Sequence, residues 1–168
     1  MRALVKTATG HGNLELRDVP VPQVDAGEVL IRVRACGICG SDLKIQGDQH
    51  PYTPPVAIGQ EFAGEIVEVG AEVSGWVVGD RVVSEQHPVD EIKIPYRQAM
   101  FRALTVSFSY NSKFTSWERA LSLFERGAIK PSQFMTHVLP LEEWSRGFDL
   151  SCSGEAVKVV LEPYSLVE

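Results

Sequence analysis

Residues 27–35 set apolar Val29, Ile31, Val33 and Ala35 against polar Glu28, Arg32 and Arg34. This near-strict alternation fits a strand with one face on a core and one in water, and it fits no helical period. Shorter runs of strand-like composition recur at residues 2–7 and 13–19, separated by Gly10-His11-Gly12, and again at 61–70 and 79–83. Gly70, Gly75 and Gly79 stand where turns or bulges are needed. The run Pro51-Tyr52-Thr53-Pro54-Pro55 cannot be helical and predicts a loop. Many short strands punctuated by glycine point to a small β-barrel or sandwich.

The second half of the chain changes style. Thr115-Ser116-Trp117-Glu118 is a capping-box pattern, and Trp117, Ala120, Leu121 and Phe124 follow at helical spacing. Arg126 and Gly127 supply a stop. A shorter amphipathic helix is predicted after Pro140, with Leu141, Trp144 and Phe148 on one face. Strands are expected at residues 104–109, 134–139 and 156–161. The aromatic stripes of the two helices are expected in the core. The fold class is therefore mainly β with a few helices, an α+β arrangement. The change of style falls at residues 84–90, yet each piece alone is too small to bury a core. One domain built from two chain segments, 1–86 and 91–168 joined near 87–90, is the expected organisation.

Composition excludes several classes of function. With 168 residues, 44% hydrophobic and 23% charged, the chain has the make-up of one globular domain. Its longest apolar runs, such as Val159-Val160-Leu161, fall far short of the roughly 20 residues of a membrane span. The start, Met1-Arg2-Ala3-Leu4-Val5-Lys6, lacks the apolar core of a secretion signal. A net charge of −6 disfavours nucleic acid as a partner. Three cysteines without a signal are expected to be thiols in a reducing cytoplasm.

Chemistry concentrates in two stretches. Cys36-Gly37-Ile38-Cys39-Gly40-Ser41-Asp42 admits three readings on spacing alone: half of a metal site, a redox pair, or two thiols at a strand end. A four-cysteine zinc site is excluded, because only Cys152 remains. A thioredoxin-like pair would open a helix, whereas this one follows a strand in a β-rich region. The other stretch is Gly59-Gln60-Glu61-Phe62-Ala63-Gly64-Glu65-Ile66, in which Glu61 and Glu65 read by themselves as solvated charges at a strand start.

Taken together, the two stretches resemble the zinc-dependent medium-chain alcohol and polyol dehydrogenases. In that family Gly-Ile-Cys-Gly-Ser-Asp is followed by Gly-His-Glu-x-x-Gly and a Gly-Asp-Arg-Val turn, here Gly79-Asp80-Arg81-Val82. The end of the chain, with Thr136-His137-Val138-Leu139-Pro140-Leu141, Gly147-Phe148 and Lys158-Val159-Val160-Leu161, is similar to the family's ending. The resemblance implies a GroES-like β-barrel. It matches Cys39 and Glu61 to the metal site, Ser41 to the hydroxyl that relays the alcohol proton, and Asp42 to a carboxylate that orients a zinc histidine. The family reaction is zinc-assisted hydride transfer from a small alcohol or polyol to NAD(P).

The chain also departs from the family. Gln60 stands where the family has the zinc histidine, and an amide oxygen is a weaker zinc donor than imidazole. A cofactor domain of roughly 150 residues, an ordinary domain size, is inserted in the family where residues 87–90 lie here. No Gly-x-Gly-x-x-Gly turn for a dinucleotide occurs, nor the four-cysteine lobe of a structural zinc. Zinc is therefore expected to be weak or absent, NAD(P) to have no binding domain, and the chain to be inactive alone. The alternative is a stand-alone, non-catalytic GroES-like module, an engineered excision or a natural truncation. Self-association through the former inter-domain face is expected, with no membrane and no nucleic acid. Of the histidines, His50, before the proline-rich loop, reads as a solvated loop residue, with an approach to the metal position as the alternative; His11 reads as a turn, His87 as linker and His137 as structural. Cys152 reads as a bystander thiol and Arg81 as a local ion-pair partner.

Overall fold

The alternating stretch forms most of β3 (Val29–Gly37), the central strand of a five-stranded sheet in the computed structural model, which describes residues 1–85, 96–103 and 114–163. Arg32 and Arg34 point to solvent as the pattern requires. Arg34 reaches Glu65 on the neighbouring strand at 3.5 Å, a half-exposed pair worth under about 1 kcal/mol. The pairing of β3 with β5 (Glu61–Val69) shifts register at Leu30/Ile31 and again at Val33/Ala35. The first shift leaves Val67 of β5 as the extra residue and the second leaves Arg34 of β3. At Gly64 the strands lie so close that a Cβ would stand 2.4 Å from the Arg32 carbonyl oxygen.

The remaining N-terminal strands follow expectation within one or two residues: β1 (Arg2–Lys6), β2 (Leu14–Asp18) and β6 (Arg81–Glu85). A two-residue β4 (Val56–Ala57) adds to β1 and completes a three-stranded sheet in the order β2-β1-β4. Lys6, fully buried at the end of β1, holds the turn that follows. Its ammonium donates to the carbonyls of Gly10 and Gly12 and lies 5.1 Å from the centre of the Tyr52 ring. A buried lysine is tolerable only when so satisfied.

The larger sheet runs β6-β5-β3-β8-β7, and its last two members come from the far end of the chain. Strand β7 (Met135–Pro140) and β8 (Lys158–Glu162) are parallel, joined through a 3-10 turn at Leu141–Glu143 and a helix at Trp144–Ser153. A parallel pair needs such a crossover, and Gly154, at φ 77°, ends the helix in the left-handed conformation that glycine tolerates. Phe148, only 2% exposed, and Leu141 pack with Leu4, Leu14, Ile38, Leu139, Val159 and Leu161. Trp144 meets Phe148 edge-on, with ring centres 5.8 Å apart. Burial of a side chain such as Phe148 contributes about 2–3 kcal/mol. The core thus draws on both chain segments.

Residues Met1–Gln86 and Phe134–Glu168 form one compact unit and His87–Gln133 another. In the second, α-helices cover Tyr96–Phe101 and Phe114–Glu125, the latter where the capping box and aromatic spacing predict it. The expected burial differs. No residue of the Phe114–Glu125 helix is buried, and Phe114, Leu121 and Phe124 are exposed. Periodicity marks a face able to pack but cannot say that a layer is there to cover it; the stripe around Phe148 has such a layer. The strand expected at 104–109 and the junction at 87–90 lie outside the described residues.

Candidate functional site

Strand β3 ends at Gly37, and two residues later α1 (Gly40–Gln46) begins, with Cys39 at its N-cap. The cysteine motif therefore does open a helix, contrary to the sequence-based expectation. The cause is Asp42, whose carboxylate accepts the Cys39 backbone N–H at 2.8 Å and so caps the first turn. Its other oxygen accepts the Gly59 N–H at 3.2 Å, which ties α1 to the loop before β5. Asp42 is 4% exposed. Burial pushes its pKa above the ordinary 3.8, and the two N–H groups only partly oppose this. Gly59 itself has φ 105°, and a Cβ there would stand 2.9 Å from the Cys36 sulfur, so both backbone conformation and space demand glycine.

The polar side chains around this turn are already partnered. Gln60 Nε2 donates to Ser41 Oγ. Glu61 Oε2 accepts from Lys158 Nζ at 2.7 Å, and the same ammonium donates to the Ile38 carbonyl at 3.1 Å. Burial, followed by the neighbouring charges of Asp42 and Glu61, pushes the Cys36 thiol up to about 12. Cys36, Asp42 and Gly59 also form part of the wall of an apolar cavity of about 550 Å³, bounded further by Leu4, Phe62 and Phe148. That surrounding is the reason both acids are hard to ionise.

The structure brings Ser41 to Gln60 and Asp42 to the Cys39 backbone, while Glu61 is joined to Lys158. Sequence reasoning did not single out Lys158; its signal is a lone lysine directly before the apolar run Val159-Val160-Leu161, which is buried. His50 Nδ1 lies 3.0 Å from the Pro51 carbonyl and His137 Nδ1 3.1 Å from Thr136 Oγ1. Among the described residues no group of three or more histidine, cysteine or acidic side chains is placed to hold a metal ion. The donor chemistry explains this: one half-buried thiol at Cys39, a carboxylate engaged by an ammonium, and at Gln60 an amide oxygen, a weaker zinc donor than imidazole. A catalytic zinc wants three free protein donors and an open position, and these residues do not fit it.

A strand-to-helix turn carrying Cys39, Ser41 and Asp42 is thus set beside Glu61 on the adjoining strand. Residues 25–102 match the alcohol dehydrogenase GroES-like domain family. The sorbitol dehydrogenase of Halalkalibacterium halodurans is 46% identical over 85 residues, covering 51% of this chain and 25% of that protein. An L-threonine 3-dehydrogenase of Sinorhizobium medicae is 50% identical over 93 residues, 53% of this chain and 27% of its own length. The alcohol dehydrogenase TADH of Thermus sp. ATN1 superposes with a TM-score of 0.69 over 96% of this chain and 99% of that one, at 16% identity, which bears on the fold alone. The match to the alcohol dehydrogenase GroES-like domain family is thus carried by residues 25–102, and the chain spans about a quarter of the length of the curated relatives it matches.

Proposed function

We propose that this chain is the catalytic-domain portion of an alcohol or polyol dehydrogenase, with residues 1–86 and 91–168 as the two segments of one cytoplasmic domain, and that alone it does not transfer hydride. The observation that supports the reading is the turn in which Asp42 holds the N–H groups of Cys39 and Gly59, with Ser41 between Cys39 and Asp42 in the chain. Ser41 accepts a hydrogen bond from Gln60, which leaves its own proton free to donate to an alcohol oxygen. Asp42 shapes the turn that presents this hydroxyl. Nothing in the donor set would stabilise the alkoxide that must form before hydride leaves, so the residues bind and orient an alcohol without activating it.

The mutual pairing of Ser41 with Gln60 and of Glu61 with Lys158 also favours a second reading, a stand-alone GroES-like module without catalysis. The two readings share one test. The purified chain, assayed with NAD and with NADP against a panel of alcohols and polyols, is expected to show no turnover that follows the protein through purification. Turnover that tracks the protein would overturn both. Binding of an alcohol that is lost in Ser41→Ala separates the first reading from the second. Self-association belongs to the first reading too, and a clean monomer in sedimentation at high concentration counts against it.

A further inference from the structure

Glu61 opens β5, Gly37 ends β3 and Lys158 opens β8, so the three stand on adjacent strands of the five-stranded sheet. Gly37 pairs with Glu61 on one side and with Val160, two residues beyond Lys158, on the other. To reach Glu61, the Lys158 side chain crosses the end of β3, and Gly37 leaves room for it. A Cβ at position 37 would lie 2.9 Å from Glu61 Oε2 and 3.5 Å from Lys158 Cδ. The Ile38 carbonyl gives the ammonium a second acceptor. Lysine and glutamate are 34% and 31% exposed, so the pair is neither fully screened by water nor stranded in the core. The same ammonium favours the charged forms of Cys36 and Asp42, whereas Glu61 opposes them.

We propose that Lys158 is the resident cation of this site: it holds Glu61 across Gly37, fastens the returning β7–β8 segment to the Cys36–Cys39 turn, and withholds the Glu61 carboxylate from a metal. An ammonium satisfies the charge of Glu61 and the carbonyl of Ile38 with directed hydrogen bonds, and it cannot accept an electron pair from an alcohol oxygen. Lys158 is thus a positioning residue. The fastening stands on the observed contacts; the withholding of Glu61 rests on the proposed reading that places Cys39 and Glu61 at the metal site.

The test is thermal unfolding of the full chain as Lys158→Met, Lys158→Arg, Glu61→Gln and the Lys158→Met/Glu61→Gln double variant. Lys158→Met is expected to lower Tm by about 2–4 °C, Lys158→Arg to retain most of it, and the double variant to fall no further than the worse single one. Excess EDTA is expected to leave the wild-type Tm unchanged. A Lys158→Met midpoint equal to wild type, additive single losses, or a fall in EDTA would overturn the proposal. Should Lys158→Met fail to fold, Glu61→Gln and Lys158→Arg probe the same pair with shape preserved. A cobalt(II) titration, followed by thiolate absorption, compares Gln60→His with Gln60→His/Lys158→Met. Removal of the lysine is expected to tighten cobalt binding about tenfold or more, and equal affinities would overturn the withholding of Glu61. Absence of the thiolate band in both variants would also overturn the withholding of Glu61, since Cys39 would then be no ligand, while the thermal series decides the fastening.

Discussion

Asp42→Asn sets two large terms against each other at one position. The carboxylate is 4% exposed, and it accepts N–H groups from Cys39 and Gly59 at 2.8 and 3.2 Å. Burial disfavours the charge, the N–H donors favour it, Glu61 opposes it and Lys158 supports it; burial is the largest and the folded chain holds the proton more tightly than the ordinary 3.8. Between that ordinary value and the raised folded one, the folded chain keeps a proton that the unfolded chain releases. Stability therefore falls as pH rises through the window and stays at the lower level above it. Asparagine carries no charge and does not titrate, so it stands in for the protonated acid. The Tm difference, Asn variant minus wild type, is expected to start from a constant deficit, because an amide offers one acceptor oxygen to the two N–H groups, and to become more positive as pH rises through the window. Each tenfold difference in proton affinity between the folded and unfolded chain is worth about 1.4 kcal/mol, and each kcal/mol about 2–4 °C for a chain of this size. Differential scanning fluorimetry of both proteins in one buffer series measures this, and other titrating groups cancel in the difference. A variant that falls steadily behind wild type as pH rises would refute the reasoning, since the two N–H bonds would then outweigh burial.

Three further outcomes follow from packing and exposure. Phe148→Ala, at a position 2% exposed in the shared core, should cost about 3–5 kcal/mol in denaturant unfolding, and a loss under about 1 kcal/mol would deny that the two segments share a core. Gly70→Ala should lose several degrees in Tm, because the added Cβ would stand 2.2 Å from the Asp25 carbonyl oxygen and 2.5 Å from that of Ala26; an unchanged Tm would mean the backbone there is less tightly apposed. With its thiol pushed up to about 12, Cys36 should resist iodoacetamide at pH 8 in the folded chain while exposed Cys152 reacts. Peptide mass mapping that finds equal labelling would contradict the buried setting of Cys36.

Local pattern carried the strands well because a half-buried sheet imposes period two on the chain, as at Ile31 to Ala35. It carried the C-terminal crossover for a related reason: Leu141, Trp144 and Phe148 trace one helical face, and β8 follows as an apolar run. It did not carry α1. Seven residues, Gly40–Gln46, are too few for periodicity, and the helix depends on Asp42 reaching a backbone group that only the fold brings near. Nor did it carry Lys158 to Glu61, separated by 97 residues and joined through the register of three strands. The resemblance to a known family, and not residue type or spacing alone, named Cys39, Ser41, Asp42 and Glu61 as candidates. Which of them are free to act is a property of their partners, and partners are long-range.

That distinction governs what restoring one residue can achieve. Gln60→His would return an imidazole to the position the family uses, but three further conditions are unmet. Asp42, the carboxylate expected to orient that ring, has both oxygens on backbone N–H groups, and moving it would uncap α1. Glu61 is held by Lys158, and releasing it would leave the ammonium with the Ile38 carbonyl alone. Ser41 would lose the amide donor that Gln60 supplies. Each is a contact of about 1 kcal/mol or more, and all three meet within one turn, so their losses will not add independently. A single Gln60→His change is therefore expected to yield weak cobalt or zinc binding, with tight binding reached only when Glu61 is freed as well. Tight binding by the single variant would show that the contacts around Glu61 give way more readily than their geometry implies.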